Sequence, residues 1–428
     1  MNALDSKALF NFFKNNIWTV VNMHLLKQFS FSKRFPEIEV VGSAFAGKQD
    51  DLIPLSFGFP APESLPVDKM TAATEAAMIT QGRQALAYSG GTGPKNILNW
   101  IKERSKLREI KATEKEIIVT AGSSQAIDLI TRTLTDPGDE IWVEAPTFFG
   151  ALKTFRLAET NLLSFPIDEH GLRVDLVEQE LIQRVKNNLP LPKLMYVIPN
   201  YQNPGGVNLS IERRKRLAEL AYEYNFFIIE DDAYVELSFN KTYTPAIYSF
   251  GPERVIYLST FSKIIAPGLR LGWAIGLKEI IEKMQILKID GLTSVYVQEV
   301  TKNLLEQIDM DEQINNLNSI YLSRKNAMVS AIKQHFGEDV SFHEPQGGFF
   351  LWLTFPDDID TSEFVDAAML AGVSYIAGKH FFLQNEGYNH MRLCFTFCEE
   401  DIIQEAIKRL ANTYYEHVNS KQMIEEAN

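Results

Sequence analysis

The sequence has few cysteines and histidines and no long uninterrupted run of apolar residues. Its 428 residues include 2 cysteines, which are too few for a disulfide framework, so a reducing cytoplasm is the expected compartment. The 7 histidines show no tight ligand spacing, which argues against a metal site.

Positive charge is also in deficit. The chain has 42 Lys and Arg residues against 55 Asp and Glu residues, for a net charge of −13 at pH 7. A field of that sign repels phosphate backbones and anionic lipid surfaces, so neither nucleic acid nor a membrane is expected as the main partner. With 45% hydrophobic and 23% charged residues, the composition is that of an ordinary globular protein and excludes collagen-like and largely disordered chains.

The amino terminus is the most apolar part of the chain without being uniformly so. Residues 8–26 are rich in Phe, Val and Leu, but Lys14 and several asparagines interrupt them. A membrane span needs about 20 nearly uninterrupted apolar residues, and a signal peptide needs basic residues ahead of its apolar run. We therefore expect a helix that packs on the protein body or on a partner subunit. The sequence leaves open whether translation starts at Met1 or at Met23, and it leaves open the role of residues 1–35.

Beyond residue 50, short apolar segments alternate with amphipathic helical patterns. Strands are predicted at 117–120, 141–143, 161–165, 194–198, 226–229, 255–258 and 271–275. This alternation predicts a mostly parallel sheet with helices on both faces, and ligands at the carboxyl ends of its strands.

The last third of the chain changes character. A helical region over 277–334 is followed by strand-like segments at 347–353, 373–376 and 391–397 and by a helix over 401–412. This order predicts a smaller α+β domain. The expected division is an amino-terminal arm with part of the small domain (1–65), a large domain (66–324) and a carboxyl-terminal small domain (325–428).

Carboxylates follow one of the predicted strands at its carboxyl end. The strand at 226–229 runs directly into Glu230, Asp231 and Asp232. Such a run indicates either a metal site or a fixed anion that faces a cationic ligand.

The strand at 255–258 leads into a loop that carries Thr260, Ser262 and Lys263, and Arg270 follows seven residues after the lysine. Hydroxyls and a guanidinium are suited to binding a phosphate. A lysine crowded by cationic groups can have a lowered pKa, which leaves a neutral amine able to form a Schiff base with an aldehyde. The loop therefore predicts one anion site and one reactive amine.

Two more loops offer groups to the same ligand. Ser123 and Ser124 lie at a strand-to-helix junction, where backbone N–H groups and the positive helix end attract a phosphate. Asn203 precedes Pro204, which favours an extended backbone and aims the amide in one direction. Each loop alone is typical of a helix cap or a turn. Together with the lysine loop they favour the fixed-anion interpretation of the carboxylates.

Four motifs in this order carry a resemblance to a known family. They are Asn203-Pro204-Gly205, Glu230-Asp231-Asp232-Ala233-Tyr234, Ser262-Lys263 with Arg270-Leu271-Gly272-Trp273, and Met391-Arg392-Leu393. Over residues 50–412 the chain resembles the fold-type-I, pyridoxal-phosphate-dependent class I and II aminotransferases, especially the branch of the 2-aminoadipate and kynurenine aminotransferases. The resemblance implies the α/β fold of aspartate-aminotransferase-like transferases.

The resemblance also implies roles for individual residues. Lys263 would form the Schiff base with pyridoxal 5'-phosphate and shuttle a proton at the substrate α-carbon. Asp231 would pair with the pyridine nitrogen, while Tyr234 and Asn203 would hydrogen-bond the phenolic oxygen. The residues implied to hold the phosphate are Ser123, Ser124, Thr260, Ser262 and Arg270.

Further residues are implied at the edges of the site. Phe148 would stack on the cofactor ring, although many relatives have Tyr there. Arg392 would clamp the substrate carboxylate, and Gly58 would line the site. Tyr88 corresponds to a residue that reaches the phosphate of the neighbouring subunit, so a homodimer with shared active sites is expected.

The function implied is a cytoplasmic enzyme of amino-acid metabolism. It would move an amino group from an amino acid to a 2-oxo acid, with 2-oxoglutarate as the expected acceptor, by a ping-pong mechanism. Two alternatives stay open on the same scaffold: a pyridoxal-phosphate-dependent lyase or decarboxylase, and a non-catalytic effector protein that binds the cofactor. The sequence leaves the donor side chain open among long acidic, aromatic and branched types.

Overall fold

The computed structural model describes residues 32, 34, 51–88, 90–288 and 293–426. The helix expected over residues 8–26 lies outside these residues. Residues 51–426 belong to one compact unit. Within the described ranges, every helix is too short or too polar to cross a lipid bilayer.

A large sheet organises the first two thirds of the chain, after a short strand β1 (Ile53–Pro54) that belongs elsewhere. Its strands are β2 (Ile117–Thr120), β3 (Glu140–Ala145), β4 (Asn161–Asp168), β5 (Gly171–Leu172), β6 (Leu194–Val197), β7 (Phe227–Asp231), β8 (Val255–Thr260) and β9 (Gly272–Ile275). They lie in the order β2-β9-β8-β7-β6-β3-β4-β5. Neighbours from β8 to β4 are parallel, while β9 is antiparallel to β2 and β8, and β5 to β4. The mostly parallel sheet is therefore confirmed.

Helices cover both faces of this sheet. The helices described up to residue 335 are α1 (Val67–Ala85), α2 (Lys95–Ser105), α3 (Ser123–Leu134), α4 (Phe149–Leu157), α5 (Val174–Lys186), α6 (Ile211–Glu223), α7 (Lys278–Leu287), α8 (Val295–Leu305) and α9 (Met310–His335), the last of which packs on the carboxyl-terminal helix. Successive strand residues point to opposite faces, so Ile118 packs in one hydrophobic cluster and Val119 in the other. This double burial explains why the strands read as continuous apolar runs.

The carboxyl-terminal part carries two small sheets. β10 (Phe350–Thr354) and a later strand β12 (Ile376–Ala377) flank β13 (His390–Cys394) in antiparallel pairing, while β11 (Val373–Ser374) pairs with β1 in parallel. The helices here are α10 (Val365–Leu370) and α11 (Glu400–Glu426).

Three expectations for this part were wrong in detail. The single strand expected at 373–376 is two strands in two different sheets, the strand expected to reach 397 ends at Cys394, and the last helix extends well past 412. Helix α9 runs continuously through the boundary expected at 324/325. The division into a large and a small domain stays a prediction.

Candidate active site

A cavity of about 280 Å³ lies at the carboxyl ends of β6, β7 and β8. Loops after these strands contribute its floor, and β10 and β13 contribute residues from the carboxyl-terminal part. The predicted site residues that line it are Gly58, Ser123, Ser124, Phe148, Asn203, Asp231, Tyr234, Thr260, Ser262, Lys263, Arg270 and Arg392. Their functional roles stay predictions at this point, but the fold brings them to one place.

Lys263 ends a single 3₁₀ turn, Phe261–Lys263, that directly follows β8. The Thr260 hydroxyl caps this turn by accepting the Ser262 N–H at 3.1 Å. The Lys263 ammonium donates to the Gly58 carbonyl at 2.9 Å. Desolvation lowers the pKa of Lys263 to about 8, and the cationic neighbours add a smaller effect in the same direction. Burial, more than the cationic crowding expected from the sequence, therefore makes this amine reactive near neutral pH.

Asp231 is the last residue of β7, and its two carboxylate oxygens have different surroundings. Oδ2 accepts the hydroxyl proton of Tyr196 at 2.7 Å. Oδ1 is buried and has no hydrogen-bond partner among the described residues. Burial raises the pKa of Asp231 to about 6. A buried acceptor without a donor is costly, so Oδ1 fits a ligand that presents an N–H group.

The other two carboxylates of the acidic run point away from the cavity. Glu230 accepts the backbone N–H groups of Ile247 and Tyr248 at 2.9 and 2.8 Å. Asp232 accepts the side-chain amide of Asn200 at 2.6 Å. The described residues hold no group of three or more His, Cys, Asp or Glu side chains arranged for a metal ion. Of the two interpretations of the acidic run, the geometry favours the fixed anion, with Asp231 as the residue that lines the cavity.

Arg392 on β13 brings a guanidinium to the cavity. Its Nη1 donates to Asn203 Oδ1 at 2.8 Å and its Nη2 donates to the Ser56 carbonyl at 2.6 Å. Its guanidinium lies 4.0 Å from the centroid of the Phe350 ring, and its buried Nε has no partner in the described part of the chain. Burial lowers the pKa of Arg392 to about 10, a value at which it is still a cation at neutral pH.

Tyr234 joins the two halves of this arrangement. Burial raises the pKa of the Tyr234 hydroxyl, and the neighbouring Asn203 side chain opposes this shift. Asn203 therefore contacts both Tyr234 and Arg392. The pair presents one phenol and one amide to the interior of the cavity.

The start of α3 forms the end of the cavity suited to an anion. Gly122, at the N-cap, has a φ of +82° and leaves the first turn without a side-chain cap. A Cβ atom at Gly122 would lie 2.9 Å from Nη2 of Arg270, so the missing side chain lets the guanidinium approach the helix end. Helix N–H groups and a guanidinium together make an anion site. The Thr260 hydroxyl is already 2.9 Å from the Leu271 carbonyl, and its direct contact with a phosphate stays a prediction.

Tyr88 is the predicted site residue that does not line this cavity. Its side chain is 96% exposed, and it borders a separate groove with Pro94 and Gln298. Its predicted role toward a neighbouring subunit is compatible with this exposure and stays a prediction.

Sequence reasoning missed two features of the cavity. Tyr196 reads as a core residue of an apolar strand, and nothing in its spacing indicates the hydrogen bond to Asp231. An aromatic wall is made by four further residues, Phe57, Phe59, Phe149 and Phe350. The wall could not be predicted because its residues come from segments that are far apart in the sequence. The run Ser56-Phe57-Gly58-Phe59 was a local signal for one of these segments.

Comparisons with known proteins agree with this geometry. The family described as aminotransferase class I and II matches residues 50–410. An aromatic-amino-acid aminotransferase of Thermococcus litoralis is 39% identical over 375 residues, 86% of this chain and 89% of its own length. A 2-aminoadipate transaminase of Thermus thermophilus is 31% identical over 364 residues, 83% of this chain and 89% of its own.

A solved structure is similar over nearly the whole length. The kynurenine aminotransferase of Pyrococcus horikoshii, in complex with PMP, is 35% identical with a TM-score of 0.84, covering 92% of this chain and 98% of its own. The aspartate-aminotransferase-like fold implied by the motifs is confirmed by such structural matches. This chain therefore belongs to the aminotransferase class I and II family.

Proposed function

We propose that this pyridoxal-5'-phosphate-dependent aminotransferase takes its amino group from an aromatic amino acid and passes it to 2-oxoglutarate in a ping-pong cycle. The observation that carries the choice of donor is the aromatic wall of the cavity, made by Phe57, Phe59, Phe149 and Phe350. The fit to the cofactor rests on the buried, unpartnered Oδ1 of Asp231, which lines the same cavity as Lys263. That oxygen needs a donor from a ligand, and a pyridinium N–H is such a donor.

The residues present fit this cofactor from end to end. Asp231 Oδ1 would accept the ring N–H, and the Phe148 ring would lie against the ring face. The start of α3, with Ser123, Ser124 and Arg270, would hold the phosphate, assisted by Ser262 and Thr260. Lys263 would hold the aldehyde carbon, and Asn203 with Tyr234 would hydrogen-bond the phenolic oxygen.

The cofactor, when bound, withdraws electrons from the substrate α-carbon and carries the amino group between the two half-reactions. The protein supplies position and proton transfer. Lys263 would take the proton from the substrate α-carbon and release it two atoms further on, beyond the amino nitrogen, a role that suits an amine whose pKa is lowered to about 8. Arg392 binds the α-carboxylate of either substrate through its unpartnered Nε and a neighbouring nitrogen, a bidentate geometry that sets the orientation of the α-carbon.

The aromatic wall supports the choice of donor. The Phe57 and Phe59 rings are stacked with centroids 6.0 Å apart, and Phe350 lies beside the carboxylate clamp Arg392. Aromatic side chains favour offset or edge-to-face contacts with other rings. The relatives named for aromatic amino acids and kynurenine are similar over most of this chain.

The proposal includes a cytoplasmic homodimer. Both cysteines, Cys394 and Cys398, are free and buried, as suits a reducing compartment. Tyr88 is nearly fully exposed, and in a dimer it would reach the phosphate site of the neighbouring subunit.

The test is the visible spectrum of the purified enzyme loaded with pyridoxal 5'-phosphate, recorded with single amino acids and no oxo acid. Phe, Tyr, Trp and kynurenine should each bleach the visible band at low concentration, and 2-oxoglutarate should then restore it. Aspartate and leucine should do so at concentrations about fivefold higher, since a ring contact contributes about 1 kcal/mol.

A variant serves as the control for this test. Lys263→Ala should bind the cofactor without the band change and show no turnover. A band that no amino acid bleaches would contradict transamination and favour a lyase, a decarboxylase or a sensor. Equal response to aspartate and to aromatic donors would contradict the donor class alone.

A further inference from the structure

A buried polar network lies behind the cavity, on the side of β7 that faces away from it. We call it the rear network; its members are Arg108, Asn200, Arg214, Glu230 and Asp232. All five side chains are at most 5% exposed. Two guanidinium groups and two carboxylates balance in charge, and buried charges of this kind persist when they are paired and hydrogen-bonded.

Asn200 is the centre of this network. Its Nδ2 donates to Asp232 Oδ1 at 2.6 Å, and its Oδ1 accepts from Arg214 Nη2 at 2.8 Å. Arg108 donates to the other oxygen of Asp232. Both ends of the Asn200 amide are therefore hydrogen-bonded to charged groups, Asp232 and Arg214, which have further hydrogen-bond partners of their own.

Arg214 extends the network to the backbone of two loops. Its remaining donors bind the carbonyls of Pro199 at 2.9 Å, Leu209 at 2.8 Å and Pro245 at 3.1 Å. The loop that carries Asn203 lies between Pro199 and Leu209. One guanidinium thus holds both ends of that loop.

The loop needs such support because its backbone is unusual. Tyr201, next to Asn200, has a φ of +46°, a conformation that non-glycine residues rarely adopt and that surrounding contacts must enforce. Asn203 follows two residues later and contacts both Tyr234 and Arg392. A shift at Asn200 would therefore move a group that faces the ligand.

The Asp232 end of the rear network lies next to Asp231, the residue proposed to pair with the ring nitrogen of the cofactor. Successive residues at a strand end point to opposite sides, so Asp231 faces the cavity and Asp232 faces the rear network. The Asn200–Asp232 hydrogen bond consequently joins the Asn203 loop to the residue adjoining Asp231.

We propose that Asn200 is a positioning residue of the active site: its hydrogen bond to Asp232 sets the distance between Asp231, at one end of the cofactor ring, and the Asn203–Tyr234 pair at the other. The inference rests on the proposed function. It adds a group that touches neither substrate nor cofactor and acts through two residues that do.

An exchange of the two side chains tests the proposal. Asn200→Asp places two carboxylates opposite each other and removes the donor, and Asp232→Asn removes the charged acceptor. The double variant Asn200→Asp with Asp232→Asn restores one carboxylate and one amide and keeps the net charge. Each protein is loaded with pyridoxal 5'-phosphate, and the pH midpoint of its visible band is measured together with kcat and KM.

The single variant Asn200→Asp should lower kcat by about tenfold to a hundredfold, as misplacement of reacting groups does, with a smaller change in KM. Its band midpoint should move by about half a pH unit or more, because the donors to the cofactor oxygen have moved. The exchange variant should recover both quantities to within a few-fold of the parent. Should Asn200→Asp not fold, Asn200→Ala removes the same contacts without adding charge and carries the same expectation.

Asn318→Ala is the matched control, since Asn318 is another buried asparagine with a hydrogen bond to a backbone carbonyl, of Glu236, at 3.1 Å. It should lower thermal stability without moving the band midpoint. An Asn200 variant with the parental midpoint and kcat would overturn the proposal, and so would an exchange variant that recovers neither. A parent enzyme that shows no visible band with the cofactor would contradict the proposed function instead.

Discussion

At the scale of single residues, burial decides the chemistry of the cavity. Glu144 on β3 illustrates this effect of burial, because its carboxyl group is buried near Asp231. One of its oxygens accepts the Ile198 N–H at 3.0 Å and the Gln202 amide at 3.1 Å. Burial raises the pKa of Glu144 to about 8. It therefore holds its proton at neutral pH, which avoids a second negative charge next to Asp231.

Replacing this carboxyl should change how stability depends on pH. The pKa of Glu144 is raised in the folded protein from 4.5 to about 8, so between these values the folded state binds a proton that the unfolded state has lost. The stability of the parent must fall as pH rises through this window, by up to about 1.4 kcal/mol per pH unit from this group. The Glu144→Gln variant has no titrating group at this position. In urea unfolding from pH 5 to 8, its free energy of unfolding should therefore rise relative to that of the parent. Exposed Glu279→Gln is the control, and curves for Glu144→Gln that parallel the parent would contradict this prediction.

At the scale of secondary-structure elements, one close contact builds the anion end of the site. Gly272, the first residue of β9, lies against the start of α3. A Cβ atom there would be 2.8 Å from the Gly122 carbonyl carbon, the Ser123 nitrogen and the Ser259 oxygen. These are backbone atoms, which cannot move aside as a flexible side chain can. The missing side chain lets strand and helix meet at the predicted phosphate site.

Gly272→Ala should therefore weaken both the fold and the binding of the phosphate. We expect a loss of about 1 to 3 kcal/mol in the free energy of unfolding, as for other overpacked positions, and a cofactor dissociation constant raised about tenfold. Gly268→Ala is the matched control, because a Cβ atom at Gly268 meets no atom within 4 Å; it should change stability by less than about 0.5 kcal/mol. Urea unfolding and cofactor titration measure the two effects. Equal behaviour of the two alanine variants would refute the role of the contact.

At the scale of the whole molecule, one segment concentrates large apolar side chains that are exposed. On α1 and just after it, Val67, Ile79, Leu86 and Tyr88 are 65%, 75%, 70% and 96% exposed. A concentration of large exposed apolar side chains typically marks an interface. A second copy of this chain is the partner that the proposed shared active site requires.

Mixed dimers would test whether subunits share their sites. Tyr88→Ala should lose most activity if Tyr88 completes the neighbour's phosphate site, and Lys263→Ala should lose all of it. A hybrid of the two variants contains one site with both changes and one site with neither. Unfolding the two variants together and refolding them should therefore restore about a quarter of parental activity, because half of the random dimers are hybrids with one intact site. Activity no higher than the sum of the separately refolded variants would contradict sharing of Tyr88.

The elements that could be predicted from the sequence are those whose pattern is local. The strand at 117–120 was predicted with its observed bounds, because three buried apolar residues and a buried threonine follow one another directly before a turn signal. The strand at 373–376 was wrong because Ser374 pairs with β1 and Ile376 with β13. Pairing with distant strands leaves no local signal. Tyr196 was missed for the same reason, since its partner Asp231 lies on the neighbouring strand.

The sequence alone determined which chemical groups are available: the residue types around Lys263 indicate a phosphate and an aldehyde, and the family resemblance implies the partners Asp231 and Asn203 and a carboxylate at Arg392. The tertiary structure decided how these groups behave. It desolvates Lys263 and Asp231 and so moves their pKa values toward neutrality. It also turns Asp231 toward the cavity and Asp232 toward the rear network, and it assembles the aromatic wall from distant segments. The burial of a side chain and the direction in which it points depend on the packing of many residues that are distant in the sequence. For this reason only the folded chain determines them.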